Sequence, residues 1–441
     1  MNLPYVDHVE EELQRKQIGN WTALQRLSPG VTFWRLYRSL DETQMEALVQ
    51  KAVERNPSYK PPPWRKRFFL DFQDGGAAQR LRDELNSWRD VVKMAYIAPQ
   101  LVAPGTNPLS RTQWYREKAP AGIDAKYANA TMDPAGNPVG DGAGQEVIDL
   151  EAGWMLDHED LVDRGIQDPL VGDNLPTAPW RPHGTNVLGV LCAADNDKGM
   201  LGVVPNVSLV NVVSHSADPT RHHEAMLMAT ANLSFGGVLV LETTLSWVDE
   251  GPDFPFETES TVFDDIKSAT DSGLVVVEAA GNGNQNLDAY LDEQGNQKLN
   301  RGSGDFQDSG AIMVGAASNT NRSATLANLN FVWQRQGSNY GSRIDCFAAG
   351  AQVCTTDSAA NNAYSCAFGG TSSATAIVAG AALSVQCMAQ SLPAGQRLAP
   401  GLLRQILSDP ALNTPTPNPD NIGVMPNLKR IHQRLTQGPY P

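Results

Sequence analysis

Short apolar runs alternate with helical periodicity over most of the chain after about residue 112. The runs with the length and composition of buried strands are 146–149, 208–213, 238–242, 274–277 and 311–314. Segments with apolar residues at helical spacing are 183–194, 263–272 and 372–388. Alternation of buried strands and helices is typical of a parallel sheet that helices cover on both faces. We therefore predict an α/β fold with three layers, α/β/α, around a mostly parallel sheet.

The first hundred residues show a smaller pattern of their own. Strand-like runs at 31–37, 68–72 and 91–97 alternate with helical periodicity at 42–55 and 77–88. Two β-α-β passes in so short a stretch predict a small α+β sandwich of the ferredoxin-like kind. A polar stretch that contains Pro and Gly follows at 99–110. We expect two domains, residues 1–104 and residues 105–441.

Composition indicates a folded, acidic protein. The 441 residues are 41% apolar and 19% charged, which suits one large and one smaller globular domain. The formal charge of -15 argues against nucleic acid and anionic membranes as partners. We expect no membrane span, because no apolar run approaches the required length. The N-terminus lacks the basic and apolar regions of a signal peptide, so we expect a cytoplasmic location or export by a non-classical route.

The cysteine count is odd, so the five cysteines cannot all pair within the chain. Cys192 and Cys387 lie in apolar helical patterns and are predicted to be core residues. Cys354 and Cys366 flank a polar turn between two strand-like runs. They could face each other across a hairpin, and the sequence leaves their pairing open.

Three polar residues stand where catalytic groups gather. Asp149 lies at the carboxyl end of a predicted strand, His183 opens a helix, and Ser372 follows a Gly-Gly-Thr loop at a helix start. Ligands collect at the carboxyl ends of parallel strands, and helix N-termini attract anions. Each residue also has an ordinary explanation: an Asp that ends a strand, a surface His, and a Ser that caps a helix. Only their combination indicates chemistry.

The combination resembles the motifs of the subtilisin-like serine proteases, the subtilases. The matching stretches are Ile148-Asp149 with His158-Glu159-Asp160-Leu161, His183-Gly184-Thr185 through Pro205, Ala279-Ala280-Gly281-Asn282, and Gly370-Thr371-Ser372-x-Ala374. Their order, Asp then His then Ser, is the order of the subtilisin triad. The resemblance extends over roughly residues 113–428.

The resemblance implies a serine endopeptidase with a subtilisin-like fold. Ser372 would be the nucleophile, His183 the general base, and Asp149 the carboxylate that orients the imidazole. The Asn282 side chain and the Ser372 backbone N–H would bind the oxyanion. A polypeptide substrate would bind as an added strand. The positions that would contact it are Glu242, Thr243, Thr244, Leu245, Ala279, Ala280 and Gly281.

Several residues depart from the family pattern. Leu150-Glu151 replaces the usual Ser/Thr-Gly after the aspartate, and Glu242 and Glu278 place acids in segments that are normally apolar or small. These departures leave the proposed catalytic atoms in place and bear on substrate preference.

The resemblance also implies a calcium site. Asp160 matches a ligand aspartate, and Asn196 lies in the loop after the histidine helix. Lys198 in the same loop could place an ammonium group nearby, which leaves calcium binding open. The adjacent His222-His223-Glu224 has no metal-ligand spacing and predicts a solvated helix start.

The N-terminal domain resembles the propeptide that many subtilases carry. We expect it to restrain the enzyme, with residues 94–99 entering the active site as an added strand. A separate protein inhibitor is the other partner considered. The alternative function is a binding or scaffold protein on the same fold with blocked catalysis. An esterase of the α/β-hydrolase type is disfavoured, because Ser372 lacks the G-x-S-x-G elbow and the triad order differs.

Overall fold

The part of the chain that the computed structural model describes comprises residues 10–15, 19–28, 31–37, 40–62, 66–70, 75–89, 92–96, 100–102, 113–177, 179–196, 198–215, 220–248, 251–321, 331–393, 395–416 and 421–438. Its α-helices are α1 (Glu10–Arg15), α2 (Trp21–Leu27), α3 (Glu42–Arg55), α4 (Gly75–Ser87), α5 (Ala125–Ala130), α6 (Trp180–Cys192), α7 (Arg221–Asn232), α8 (Ser260–Asp271), α9 (Gly370–Ser391), α10 (Pro400–Ser408) and α11 (Leu428–Leu435). Its strands are β1 (Trp34–Arg35), β2 (Phe68–Phe69), β3 (Gln100–Val102), β4 (Glu146–Glu151), β5 (Leu209–Ser214), β6 (Val238–Leu241), β7 (Thr244–Ser246), β8 (Phe254–Pro255), β9 (Val275–Ala279), β10 (Ile312–Asn319), β11 (Trp333–Arg335), β12 (Cys346–Ala349), β13 (Val353–Asp357), β14 (Ala363–Phe368), β15 (Thr414–Pro415) and β16 (Val424–Met425).

A nine-stranded sheet lies at the centre of the molecule. Its order is β15-β16-β12-β10-β9-β6-β4-β5, and β11 pairs with β10. The strands from β12 to β5 in this order are all parallel to their neighbours. The two antiparallel additions are β11 and β15. Every strand predicted after residue 112 is in this sheet, so the prediction of a mostly parallel α/β fold is confirmed.

Helices cover both faces of the sheet. Strand β4 illustrates this arrangement, since its successive side chains point to opposite faces of the sheet. Val147 lies in the core beneath α6 and α9, whereas Ile148 and Leu150 lie in the core beneath α7 and α8. A strand buried on both faces is apolar almost throughout, which is the pattern seen in the sequence.

Helix α9 is the innermost helix of the fold. All residues from 371 to 389 are buried, and most are small or aliphatic. A Cβ atom at Gly380 would lie 2.6 Å from Val203 Cβ, so the close approach of α9 to that loop requires glycine. By length and composition α9 could cross a membrane, but it lies wholly inside the fold. Its apolar character therefore follows from its place in the core.

The N-terminal region has less sheet than the sequence predicts. Helices α3 and α4 form near the predicted positions, and β1 and β2 pair antiparallel over two residues each. Residues 92–96 of the predicted third strand form no strand, and residues 91 and 97 lie outside the described residues. The Asn86 side chain explains the difference. Its amide donates to the Ala95 carbonyl at 2.7 Å and its oxygen accepts from the Ala95 N–H at 2.8 Å, so a side chain takes the place of a neighbouring strand.

The N-terminal region packs on α7 and α8. The Tyr37 hydroxyl donates to Asp265 Oδ1 at 2.9 Å, and the Lys51 ammonium donates to the Leu233 carbonyl at 3.0 Å. Leu48 and its apolar neighbours join Leu227 in one small core. The boundary near residue 104 stays a prediction, because residues 103–112 lie outside the described part of the chain.

A disulfide between Cys354 and Cys366 joins β13 to β14, which answers the question that the sequence left open. The hairpin supports α6, because the hydroxyls of Thr355 and Thr356 donate to the Asn186 and Thr185 carbonyls at 2.7 Å and 2.6 Å. The other cysteines, Cys192, Cys346 and Cys387, are buried thiols.

A buried ionic network holds the start of β12 to the β8–α8 connection. The fully buried Arg343 guanidinium donates to both Glu257 oxygens at 2.7 Å and 2.9 Å and to Asp345 at 3.0 Å. Glu278, an acid where the family has an apolar residue, accepts from the Glu257 backbone N–H at 2.7 Å. Arg343 therefore balances several buried acids at once.

Replacing Arg343 with methionine should lower the free energy of unfolding by about 3–5 kcal/mol, because it leaves buried carboxylates without their cation. Urea denaturation followed by circular dichroism measures the change. The matched control is Arg82→Met, which removes an exposed ion pair to Asp83 and should change stability by less than about 1 kcal/mol. Equal effects of the two substitutions would contradict this account of the network.

Candidate functional site

Two carboxylates project from the same face of β4. Asp149 and Glu151 are two positions apart on this strand, so their side chains leave the sheet on the side of α6 and α9. Both are buried. The next strand in the sheet, β6, runs into Glu242, and its last residue Leu241 stands opposite Leu150. Glu151 and Glu242, the two acids that differ from the family pattern, therefore lie at the same end of the sheet.

His183 occupies the first turns of α6 and is 6% exposed. The helix lies close to the end of β4. A Cβ atom added at Gly184 would be only 2.4 Å from the Gly153 carbonyl oxygen. The imidazole packs edge-on against Phe368, with ring centroids 5.6 Å apart. Neither ring nitrogen of His183 makes a hydrogen bond of regular geometry with the described residues, although Nδ1 has a charged contact. Nε2 is therefore available to a reacting group.

The carboxylate at the other side of the imidazole is Glu151. Its Oε1 lies 2.5 Å from His183 Nδ1, while Oε2 accepts from the Ala152 N–H at 3.2 Å. Burial raises the pKa of Glu151, but the charge and hydrogen bond of His183 outweigh it and bring this pKa below its ordinary value. The sequence assigned this position to Asp149, and the structure puts Glu151 there.

Asp149 lies beside the imidazole–carboxylate pair and contacts other groups. Its Oδ2 accepts from the Trp154 indole N–H at 2.7 Å. Its Oδ1 and both oxygens of Glu242 have no donor among the described residues. The two carboxyl groups face each other, and buried acids in contact cannot both ionise. Asp149 and Glu242 therefore share a proton.

The pKa values of this acid pair follow from that arrangement. Burial, followed by repulsion from Glu151, raises the pKa of Asp149 to about 7. Burial and the charge of Asp149 raise the pKa of Glu242 well above its ordinary value. Glu151 is thus the most acidic carboxyl of the cluster, and the other two carboxyls hold one proton between them.

Ser372 is the third residue of α9 and is almost fully buried. Gly369 is the N-cap, so Ser372 does not cap the helix. The neighbouring hydroxyls are already bonded: Thr371 Oγ1 donates to Asn282 Oδ1 at 3.3 Å and Ser373 Oγ donates to the Ala349 carbonyl at 2.8 Å. The Ser372 hydroxyl has no partner among the described residues, which leaves it open to reaction.

Asn282 is fixed beside the serine. Its Oδ1 accepts from the Thr371 N–H at 2.9 Å, so its amide N–H groups point away from this bond. They face the Asp253 carboxyl, which also contacts the Thr244 hydroxyl. Burial raises the pKa of Asp253, although these hydrogen bonds oppose the rise. Side-chain donors thus converge on the start of α9, where the helix dipole is positive.

The predicted substrate-contacting residues form two groups. Thr244 and Leu245 belong to β7. Glu242 is buried in the acid cluster, and Thr243 connects Glu242 to β7. Ala279 ends β9, and Ala280 and Gly281 lead to Asn282. The Ala280 carbonyl accepts from the Asn339 amide at 2.7 Å, which holds this turn in place.

Strand β3 of the N-terminal region pairs antiparallel with β7. Leu101 stands opposite Leu245, and Val102 stands opposite Thr244. The sequence expected residues 94–99 here. The described residues that pair are Gln100–Val102, and the backbone of Ala95 is instead bound by the Asn86 side chain. Residues 97–99 lie outside the described part of the chain.

The predicted calcium residues are close in space but are not equivalent. Asp160 Oδ2 accepts from the Met200 N–H at 2.7 Å, and its buried Oδ1 has no partner among the described residues. The Asn196 amide donates to the Glu159 carbonyl at 2.9 Å, while its oxygen accepts from the Lys198 N–H at 3.1 Å. Asp160 therefore has an unpaired oxygen that could bind a cation, whereas the Asn196 side chain already uses its oxygen and its amide in hydrogen bonds to the backbone.

Sequence reasoning missed three contributors to this site: Glu151, Trp154 and Asp253. The signal for Glu151 was present, because an acid two positions from Asp149 on a strand must share its face. Trp154 and Asp253 carried no such signal, since loops bring them to the site.

Comparison with known proteins agrees with the geometry. The model of the subtilase family matches residues 141–424. Subtilisin DY of Bacillus licheniformis is 30% identical over 281 residues, which cover 62% of this chain and 85% of the relative. Subtilisin BL of Lederbergia lenta is 29% identical over 245 residues, covering 56% and 77%. A solved protease structure from Pseudoalteromonas arctica has the same fold, with a TM-score of 0.50, 20% identity and coverage of 73% of this chain and 96% of that one.

Replacing Asp149 with asparagine should change how stability depends on pH. The unfolded carboxyl ionises near its ordinary 3.8 and the folded one near 7, so the native chain loses stability as pH rises between these values. The free energy of unfolding of the native chain should fall by at most about 4 kcal/mol over this pH range, and the variant should not show this fall. Urea titrations at several pH values measure the difference. Asp83→Asn, at an exposed site, is the control, and parallel curves for native and Asp149→Asn proteins would contradict the raised pKa.

Proposed function

This chain belongs to the subtilase family and is a serine-type peptidase, and we propose that it cleaves peptide bonds with Ser372, His183 and Glu151 as its catalytic triad. The observation that carries the proposal is the 2.5 Å contact between His183 Nδ1 and Glu151 Oε1 in a buried site. Ser372 attacks the peptide carbonyl while His183 Nε2 takes its proton and later protonates the leaving amine. Glu151 holds the imidazole tautomer and stabilises the imidazolium.

Asp149 has a supporting role in this proposal. A carboxyl that shares one proton with Glu242 carries only part of the single negative charge of that pair. It instead fixes Trp154, whose indole lies next to Gly184 at the start of α6. The proposal therefore moves the charged member of the triad two residues along β4 from the position that the family resemblance indicates.

The oxyanion would be bound by the Asn282 amide and the Ser372 N–H. The bond from Thr371 to Asn282 Oδ1 supports this role, because it turns the amide donors toward the site. A fixed donor of this kind contributes about 2.7–4 kcal/mol to transition-state stabilisation, a range that mutation of the corresponding asparagine in subtilisin itself provides. A substrate carbonyl would replace the Asp253 carboxyl as the acceptor of these donors.

The N-terminal region would restrain the enzyme. A polypeptide substrate of this family lies along β7, and β3 pairs with that strand in this chain. A tethered segment competes at an effective concentration in the millimolar range for a short linker, so weak pairing is sufficient to block the site. Substrate and N-terminal segment would thus exclude each other.

Calcium would stabilise the loop that follows α6. The unpaired Asp160 Oδ1 is a suitable oxygen ligand. The loop also forms a depression, which is lined by Gln113, Ala194, Asp195, Asn196, Lys198, Gly199, Met200 and Leu201. Asn196 would keep its hydrogen bonds within the loop. The ion would have a structural role and would take no part in the chemistry.

Replacing Ser372 with alanine should abolish labelling by a fluorophosphonate probe and lower peptide hydrolysis at least about 10³-fold. Both are measured on purified chains, with the labelled peptide identified by mass spectrometry. Ser373→Ala is the matched control, because its hydroxyl is bonded to backbone carbonyls. A native chain that neither labels nor hydrolyses peptides after removal of its N-terminal region would instead be a catalytically silent binding protein.

The two acids of β4 should respond differently to neutralisation. Glu151→Gln should lower kcat by about 10³–10⁴-fold, as loss of the orienting carboxylate does in other triads. Asp149→Asn should lower it by less than about tenfold, because Glu242 can keep the single negative charge of the acid pair when Asp149 becomes an amide. Steady-state kinetics on a chromogenic peptide measures both variants. The reverse ranking would return the orienting role to Asp149.

Replacing Leu101 with proline should raise kcat/KM of the full chain by about fivefold to tenfold, because proline lacks an N–H and disfavours pairing with β7. Leu101→Val keeps the N–H and is the matched control. Intact-mass measurement before each assay excludes cleavage of the chain. Unchanged activity in both variants would show that β3 does not restrain the site.

A further inference from the structure

His222, His223 and Glu259 form a buried cluster on the side of the sheet away from Ser372. The two histidines lie in the first turn of α7, and Glu259 is the N-cap of α8. Each is less than 5% exposed, so the solvated helix start expected from the sequence is wrong. One ligand atom from each residue lies within 4.8 Å of the other two. The helices that pack together thus bring two imidazoles and a carboxylate to one point.

Several of these atoms lack hydrogen bonds. Neither ring nitrogen of His222 has a partner among the described residues, and neither does Glu259 Oε1. The other oxygen, Oε2, accepts from the Val262 N–H at 2.7 Å and fixes the carboxylate at the helix start. Buried polar groups are nearly always paired in folded proteins. Unpaired donors and acceptors that face one another therefore indicate a bound group.

His223 has the surroundings of a metal-binding histidine. Its Nδ1 lies 2.8 Å from Asp265 Oδ2, which leaves Nε2 to bind a ligand. The Asp265 Oδ1 in turn accepts from the Tyr37 hydroxyl at 2.9 Å. Carboxylates that orient a ligating imidazole in this way are a general feature of metal sites.

We propose that His222, His223 and Glu259 bind a divalent transition-metal ion, for which Zn²⁺ is the best fit. Three atoms within 4.8 Å of one another have a common centre at most about 2.8 Å from each. Side-chain movements of about 0.7 Å then give the Zn–N and Zn–O distances of about 2.0–2.1 Å. Imidazole donors favour zinc over the oxygen-preferring calcium. The ion would hold α7 to α8 beneath the N-terminal region.

Zinc binding to the full chain tests this site. The protein is produced without a histidine tag and with His183→Ala, so that the active-site imidazole contributes nothing. After chelation and dialysis against Zn²⁺, elemental analysis should find one ion per chain, and Co²⁺ should give the intense visible absorption of a tetrahedral site. Less than about a tenth of an equivalent would overturn the proposal.

Variants show whether the ion is at this cluster. His222→Gln and Glu259→Gln should each weaken Zn²⁺ binding by about 100-fold or more, and Asp265→Asn by about 10–100-fold through His223. His432→Gln is the matched control, because His432 is a partly buried histidine on α11 that pairs with Tyr127. Circular dichroism confirms folding, and a variant that does not fold is replaced by the next of the three. Unchanged affinity in the folded variants would overturn the assignment.

Discussion

Burial of α9 is the constraint on which the rest of the structure depends. A helix of small and aliphatic residues fits against the sheet only at short range, and the 2.6 Å approach that a Cβ at Gly380 would make to Val203 shows how little space remains. Dense packing of this kind gives a side chain one position rather than several. The start of α9 is therefore fixed against β9 and α6, and the neighbour of Ser372, Thr371, is bonded to Asn282. The site is precise because the core beneath it cannot shift.

The acid cluster at the end of β4 is the second consequence of burial. Three carboxyl groups in one buried site cannot all carry charge, since each ion loses hydration. Glu151 is the acid that contacts His183, because its longer side chain reaches Nδ1. Asp149 and Glu242 then share one proton, so that this pair carries one negative charge instead of two. The same physics appears at Glu257, where Arg343 supplies the balancing charge instead.

Patterning predicted the parallel sheet and the main helices because burial on both faces leaves a continuous apolar signal. The motifs also indicated Ser372, His183 and Asn282, whose shared role stays a proposal. The contact between Glu151 and His183 was not predicted, because Asp149 and Glu151 share one face and only side-chain reach distinguishes them. The pairing of Gln100–Val102 with β7 was not predicted either, and the Asn86 side chain binds the backbone of Ala95 in the segment that was expected to pair. Such contacts between distant positions leave no periodic signal in a sequence.

The N-terminal region contacts the peptidase both on the α7–α8 surface and along β7. Tyr37 reaches Asp265 on α8, and β3 pairs with β7. A pairing of three residues contributes little by itself, since an isolated short strand is marginal in water. In the proposed restraint, docking on α7 and α8 would keep the strand at high local concentration and make the weak pairing effective. The strength of such a restraint would be determined largely on a surface away from Ser372, and a group bound between α7 and α8 would act on the occupancy of β7.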